Sequence, residues 1–299
     1  MKVLVVGGTG MIGGHIALHL SEQGHDVTVA GRNPPEADTP LGNLGFERID
    51  YVNMDYADGA LDGYDVLVFA AGQDVRHVPE GEDDGYWAKA NSEGVPRFFK
   101  AAKDAGMKIG INIGSFYPQA APELVESNPY VKSRKVSDDA VTAMNDENFR
   151  AMSLNAPFVL GQVPGLTVPM FAAYTGYAQG NFAPMPEFAP PGGTNFISTK
   201  SIAEAVEGAI ERGEGGKSYL IGDENLSFQD YFGGFFEAVG REKPEVRDEE
   251  HPMLPDSAIF FGRGNTLYYD PPADEVETLG YRRNDVTRTI EEIVAANKQ

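Results

Sequence analysis

The chain is most constrained by a glycine-rich turn, Gly7-Gly8-Thr9-Gly10-Met11-Ile12-Gly13, lying between an apolar run at residues 2–6 and an amphipathic stretch at residues 11–23. The turn satisfies two spacings at once, G-x-x-G-x-x-G through Gly7, Gly10 and Gly13, and G-x-G-x-x-G through Gly8, Gly10 and Gly13. A strand that must reverse at once into a helix needs backbone freedom in its first glycines. Gly10 admits a ligand close to the main chain, Gly13 lets the helix pack on the sheet, and the helix start offers free N–H groups to an anion. Strand, glycine turn and helix in this order predict a dinucleotide pyrophosphate at the turn, with Gly7, Thr9, Gly10, Met11, Ile12 and Gly13 around it.

The same alternation continues. Strands are expected at residues 26–30, 47–53, 65–71, 108–113, 152–160 and 218–222, with helices at 11–23, 87–105, 130–144, 201–211 and 286–296. Alternating strands and helices imply right-handed crossovers and a parallel sheet, so the expected fold is an α/β, Rossmann-type doubly wound sheet with a small C-terminal substrate-binding region. The expected organisation is a dinucleotide-binding domain over residues 1–160, completed by about 194–222, with residues 161–193 and 223–299 forming the substrate-binding or lid region. Residues 161–194 crowd Pro, Gly, Phe, Tyr and Met together without a helical or strand period, which reads as a loop over a site.

At the end of the second expected strand, where a carboxylate would accept the ribose 2′-hydroxyl of NAD, the chain has Ala30-Gly31-Arg32-Asn33. The guanidinium of Arg32 fits a 2′-phosphate and no acid stands there to repel one, so NADP(H) is the preferred cofactor and NAD(H) the alternative.

Composition narrows the partners. Lys plus Arg number 24 against 45 Asp plus Glu, a net charge of −21. That field repels phosphate backbones and anionic membranes, so neither nucleic acid nor a membrane is an expected partner. There is no Cys, which removes thiolate catalysis and Cys-ligated zinc and suits a reducing cytoplasm. Of His15, His19, His25, His77 and His251, only the first two share a helix face, with Ile16 where a zinc-binding H-E-x-x-H helix needs Glu; no metal site is expected. A small-molecule substrate and a possible homodimer are the remaining expectations.

Several short segments, in order, resemble the extended short-chain dehydrogenase/reductase superfamily, the branch of NAD-dependent epimerases and dehydratases that also includes dihydroflavonol- and hydroxysteroid-type reductases. Residues 6–13 are similar to its cofactor turn. Asp55 and Tyr56 resemble the acidic turn that meets the adenine, and Ala70-Ala71-Gly72 the fourth-strand segment along the cofactor. Asn91 falls at the family's helical Asn, and Ala156-Pro157-Phe158 resembles the stretch beside the nicotinamide. The resemblance implies hydride transfer with a Tyr hydroxyl as acid or base, a basic residue four positions on, and a Ser that orients the substrate oxygen. Tyr130-Val131-Lys132-Ser133-Arg134-Lys135 is the matching segment, and Ser115 the matching Ser; Tyr117 is the rival hydroxyl. Positions i and i+4 share a helix face, so Arg134 stands where the family has Lys, and Lys132 and Lys135 point elsewhere. Arg134 keeps the charge that lowers a phenol pKa from near 10, and is implied to bond the nicotinamide ribose as well.

Residues 151–199 contain no Lys or Arg but include Phe158, Met170, Phe171, Tyr174, Tyr177, Phe182, Met185, Phe188 and Phe196. If this segment covers the substrate, an apolar ketone or alcohol suits it better than a nucleotide diphosphate, which needs cations. An NADP(H)-dependent interconversion of ketone and secondary alcohol is therefore the leading expectation. Arg263, Arg282 and Arg283 keep a nucleotide-sugar epimerase or dehydratase as one alternative, and the Arg134 departure keeps a non-catalytic NADPH-binding sensor as another.

Overall fold

The computed structural model describes residues 1–73 and 85–298; His77 lies outside the described residues. The chain runs β1 (Lys2–Val6), α1 (Met11–Glu22), β2 (Asp26–Gly31), β3 (Gly45–Arg48), β4 (Val66–Phe69), α2 (Gly85–Trp87), α3 (Val95–Asp104), β5 (Ile109–Ser115), α4 (Tyr117–Ala120), α5 (Leu124–Ser127) and α6 (Pro129–Thr142). It continues through β6 (Arg150–Ala156), β7 (Phe158–Leu160), α7 (Pro169–Ala178), β8 (Gly193–Ser198), α8 (Thr199–Arg212), β9 (Ser218–Leu220), β10 (Glu224–Ser227), α9 (Phe228–Ala238), β11 (Thr266–Leu267), α10 (Ala273–Leu279) and α11 (Val286–Asn297).

Seven strands make one parallel sheet in the order β3-β2-β1-β4-β5-β6-β9, the Rossmann-type doubly wound arrangement. β1 and β4 are buried on both faces, which is why they read as unbroken apolar runs. The chain reverses its winding between β1 and β4, and a crevice opens there at the carboxyl ends of the strands.

Two expected elements divide. The strand foreseen at 152–160 ends at Ala156, because Pro157 has no N–H for the ladder; β7 then pairs with β8 in a second sheet. The helix foreseen at 87–105 is interrupted by a π-helical turn, Ala88–Gly94, after which α3 starts with a proline in its first turn. Pro96 cannot donate to the carbonyl one turn back, and the wider turn absorbs the misfit.

The largest departure is at 161–193, which holds α7. Its Phe171, Tyr174 and Tyr177 pack with Phe228, Phe232 and Phe235 of α9 and Ile290 of α11 in a second core. Phe188 and Phe196 are buried too, and Phe182 is exposed. Phe171, Tyr174, Tyr177, Phe188 and Phe196 are thus core residues. Being buried on several sides, α7 has no polar stripe to betray its period. The small second sheet joins β7, β10 and β11 to β8, so the segment at 193–198 belongs there and not to the large sheet. No described helix is long and apolar enough to cross a membrane.

His251 lies fully buried among Tyr177, Phe188 and Phe232 in this second core. Nε2 donates to the Phe188 carbonyl at 3.0 Å and Nδ1 accepts the Met253 N–H at 3.1 Å, so the neutral ring is fully bonded. Burial lowers its pKa to about 4. The unfolded chain binds a proton there near pH 6.5, so between 6.5 and 4 stability falls as pH falls, by at most about 1.4 kcal/mol per unit from this one group. Denaturant melts of wild type and His251→Asn should show a stability gap that is widest above pH 6.5 and narrows toward pH 4.

Candidate functional site

The site begins where β1 ends. Gly7 has φ +83° and its N–H donates to Ala30 O at 2.8 Å; a Cβ there would lie 2.8 Å from the main chain of Ala70, just beyond β4. A Cβ on Gly13 would stand 2.3 Å from Gly7 O, so helix and turn are in direct backbone contact. Gly10 differs, because the nearest atom to its imagined Cβ is Gly7 O at 3.4 Å. Its bareness serves no protein contact and leaves the cleft side open. Gly14 makes the first helical hydrogen bond, donating to Gly10 O at 2.8 Å, and among the described residues no main-chain acceptor takes the N–H of Met11, Ile12 or Gly13. Free donors at a helix start above a bare glycine suit a pyrophosphate.

A cleft of about 230 Å³ runs from this turn, with Gly7, Thr9 and Gly10 on one side and Ala70, Ala71 and Gly72 on the other. Exposed Arg32 lies at its edge with Asp50, Tyr51 and Val52. Asp55 and Tyr56, expected there, do not line it: Asp55 pairs with Arg48 at 2.9 Å and Tyr56 packs on Phe98. After β3 the chain doubles back, Asp50 and Asp55 exchanging main-chain hydrogen bonds at 2.9 and 3.0 Å. Two Asp-Tyr pairs thus follow β3, and the first, nearer the strand, lies in the cleft. Tyr51 further donates its hydroxyl to Ala71 O at 3.1 Å.

Deeper in, β5 and β6 end side by side, with Ser115 opposite Ala156. The Ser115 side chain has no hydrogen bond among the described residues, and Phe116 N–H donates to Ala156 O at 3.1 Å. Pro157 turns the chain away, and Phe158 packs against Phe116, Phe196 and Phe228.

α6 starts cleanly: Asn128 caps it by accepting the Val131 N–H, and Pro129 occupies its first turn. Tyr130 and Arg134 fall on its buried face, while Lys132 and Lys135 pair outside with Glu126 and Asp139. Arg134 Nη2 donates to Ile113 O at 2.8 Å, and a Cβ on Gly72 would meet Nη1 at 2.0 Å. The guanidinium is therefore wedged between the cleft wall and the end of β5, with its buried Nε–H lacking a partner among the described residues. Asn91 is fully buried in the π-helical turn and does not line the cleft. Its amide accepts from Gln73 N at 3.1 Å and donates to Gln73 O at 3.0 Å and Ser133 Oγ at 3.1 Å, tying the cleft wall to α6. Three rings enclose Tyr130: Tyr117, named above as the rival hydroxyl, and two that the sequence did not single out, Trp87 and, from the loop before β11, Phe260.

The arginines considered for the C-terminal part are engaged elsewhere. Arg263 pairs with Asp256 at 3.2 Å, Arg282 with Glu204, and Arg283 with buried Asp223 at 3.2 Å. His15 and His19 bond Thr199 at 2.8 Å and Glu207 at 2.7 Å.

Fold, glycine turn and cleft define a Rossmann-type dinucleotide-binding protein. Residues 3–222 match the NAD dependent epimerase/dehydratase family, and the chain belongs to that family. Its architecture is similar to the enzyme WbmF of Bordetella bronchiseptica, solved in complex with NAD+ (TM-score 0.74, 16% identity, covering 99% of this chain and 92% of that one). It is also similar to the UDP-glucose 4-epimerase of Bifidobacterium longum with NAD+ and UDP (0.72, 17%, 99% of each chain). A third is the UDP-glucuronic acid 4-epimerase of Bacillus cereus with NAD (0.72, 15%, 100% of each). At these identities the likeness is one of fold. A search of curated proteins returned no match.

The contrast between two glycines is testable. Gly10→Ala should fold with stability within about 1 kcal/mol of wild type, yet lose at least about tenfold in dinucleotide affinity, because only the ligand needs the space. Gly13→Ala should lose both, its Cβ meeting backbone. Thermal melts and cofactor titrations of the two variants give the comparison.

Proposed function

We propose that the chain is a nicotinamide-dinucleotide-dependent enzyme of the epimerase or dehydratase type, interconverting carbinol and carbonyl at one carbon of a small oxygenated molecule. The observation that carries this reading is that Arg134, one turn from Tyr130 on α6, bonds Ile113 O in β5, the strand that ends in Ser115, and lies against Gly72 of the cleft wall. When bound, the nicotinamide supplies the hydride acceptor and donor.

The protein supplies the rest. The Tyr130 phenol takes the proton of the reacting hydroxyl and returns it. Arg134, one helical turn on, holds a fixed positive charge that favours the phenolate. Ser115, unengaged at the end of β5, orients the substrate oxygen. Gly72 and Ile113 fix the guanidinium so that its charge stays at the cleft wall.

Nucleotide-sugar epimerisation is supported by family membership and by the UDP-sugar 4-epimerases among its structural neighbours. A second reading, reduction of a ketone that carries no diphosphate, is favoured by one observation: every Lys and Arg from residue 200 to 298 is engaged by a carboxylate or a carbonyl. Assay of the purified protein with UDP-sugars and with ketones, each with NAD(H) and NADP(H), decides between them. Dinucleotide binding without turnover on either set would leave a sensor.

Tyr130→Phe should lower turnover by roughly 10² to 10⁴ with cofactor affinity nearly kept. Arg134→Met should lower both, and Arg134→Lys should retain far more activity than Met. Wild-type turnover in Tyr130→Phe would remove the phenol from the mechanism.

We further propose that NADP(H) is preferred, on the strength of Arg32 at the cleft edge. Arg32→Ala should weaken NADP(H) by about tenfold or more and leave NAD(H) unchanged in paired titrations.

A further inference from the structure

The cleft along the glycine turn is lined by neither Tyr130 nor Tyr117. Tyr130 is 8% exposed and Tyr117 4%, so both phenols are covered in this conformation. One ring lies on the two of them. The Phe260 centroid is 5.2 Å from each, tilted by 33° to Tyr130 and by 61° to Tyr117. The side chain that covers the proposed proton donor therefore also covers its rival.

Phe260 differs from the rings around it in how it is held. Trp87, Tyr117 and Tyr130 belong to α2, α4 and α6. Phe260 is half-buried in the irregular loop before β11, and among the described residues neither its N–H nor its carbonyl makes a main-chain hydrogen bond. Gly262 and Gly264 follow with φ of +85° and +84°, and a Cβ on Gly264 would meet no atom within 4 Å, so that side of the turn faces open space. Arg263 pairs with Asp256 at 3.2 Å and Asp248 at 3.5 Å, inside the same segment and not onto α4 or α6. Ile259 is buried and Phe261 stacks on Phe228 with centroids 6.5 Å apart, anchoring the loop on either side of Phe260. The ring between them can turn without the segment leaving the fold.

The covered space is polar. Among the described residues the Tyr117 hydroxyl and the Trp87 indole N–H are buried without a partner, and the Phe260 main chain lies beside that hydroxyl without completing a hydrogen bond. An apolar ring set over unpaired donors keeps out the water that would pair them, so their desolvation offsets part of the contact energy of the shut position. A ligand that binds better with the ring displaced shifts the population toward the open position.

We propose that Phe260 is an autoinhibitory plug: in the resting protein its ring lies over Tyr130 and Tyr117, and it swings aside when substrate reaches the phenol. The inference rests on the reading of Tyr130 as the proton-transfer group. It adds a conformational step before the chemistry.

The chain has no Cys, so Tyr117→Cys places a single thiol under the plug, and its rate of reaction with dithiobis-nitrobenzoate reads access without any turnover. In the cofactor-loaded protein this thiol should react about 10-fold faster when Phe260→Ala is added, and with Phe260 present it should still react faster than global unfolding in denaturant melts allows. Phe260→Leu, which keeps an apolar contact of shorter reach, should give an intermediate rate and guards against a folding defect in the alanine variant. Equal rates with and without the Phe260 ring, or a thiol that reacts only through global unfolding, overturn the plug. In the chain that keeps Tyr117, Phe260→Ala should raise kcat/KM for whichever of UDP-glucose and cyclohexanone is turned over by about 3- to 10-fold, because the open fraction rises. An unchanged or lower kcat/KM makes Phe260 a fixed wall of the site and overturns the inference. Faster labelling in a protein that turns over neither probe keeps the plug and counts against the reaction, and equal labelling in an active enzyme does the reverse.

Discussion

The site depends on backbone atoms held at contact distance where β1, α1 and the end of β4 meet. Gly13 rides on Gly7 O, and Gly7 rides on the main chain of Ala70. That seam fixes how far the helix start stands from the opposite cleft wall, and so fixes the width available to a dinucleotide. The wall continues through Gly72 to the Arg134 guanidinium, which grips Ile113 O at the end of β5. Asn91 ties the next residue, Gln73, to Ser133 on the same helix as Tyr130. From turn to phenol, each group is placed by contact with the one before it, largely through glycines and main-chain atoms that have no rotamers to vary.

Against that economy, the unpaired groups around Tyr130 stand out. Buried tyrosines elsewhere are satisfied: Tyr177 bonds the Phe188 N–H at 2.8 Å, Tyr269 bonds Ile221 O at 2.7 Å, and Tyr281 bonds Gly222 O at 3.1 Å. A buried unpaired polar group costs about 1–3 kcal/mol, which a phenylalanine at 117 would avoid with the same ring packing. Among the described residues the fold pairs these phenols and leaves the Tyr117 hydroxyl open, next to a likewise open Trp87 indole.

Much of the fold was legible because its signals are local. Glycine spacing between a buried strand and a helix is read from fewer than fifteen residues, and the i, i+4 relation of Tyr130 and Arg134 from five. What escaped was decided at long range or by direct competition. Two Asp-Tyr pairs follow β3, and only the main-chain exchange between Asp50 and Asp55 settles which one faces the cleft. The break at Pro157 was visible as a proline, but its consequence, a move to a different sheet, depends on β8 nearly forty residues on. The aromatic, cation-free stretch at 151–199 gave no sign of α7, because composition cannot show that its rings pack against α9 and α11. The rings that do enclose Tyr130 come from residues 87, 117 and 260, a distribution with no pattern in sequence.

Arg134 shows why a one-residue departure from a family pattern has to be judged with its surroundings. A lysine at this position would bring a single ammonium on a flexible stem. The guanidinium reaches the Ile113 carbonyl with one arm while another lies against Gly72, and its Nε–H remains unpaired among the described residues. A Cβ at 72 would stand 2.0 Å from Nη1, so with any other residue there the guanidinium would have to shift. The bare wall and the broad cation therefore form one fitted pair. The charge that a flexible lysine would supply is here held rigid by the sheet end and the cleft wall, which suits the proton-transfer role proposed for Tyr130.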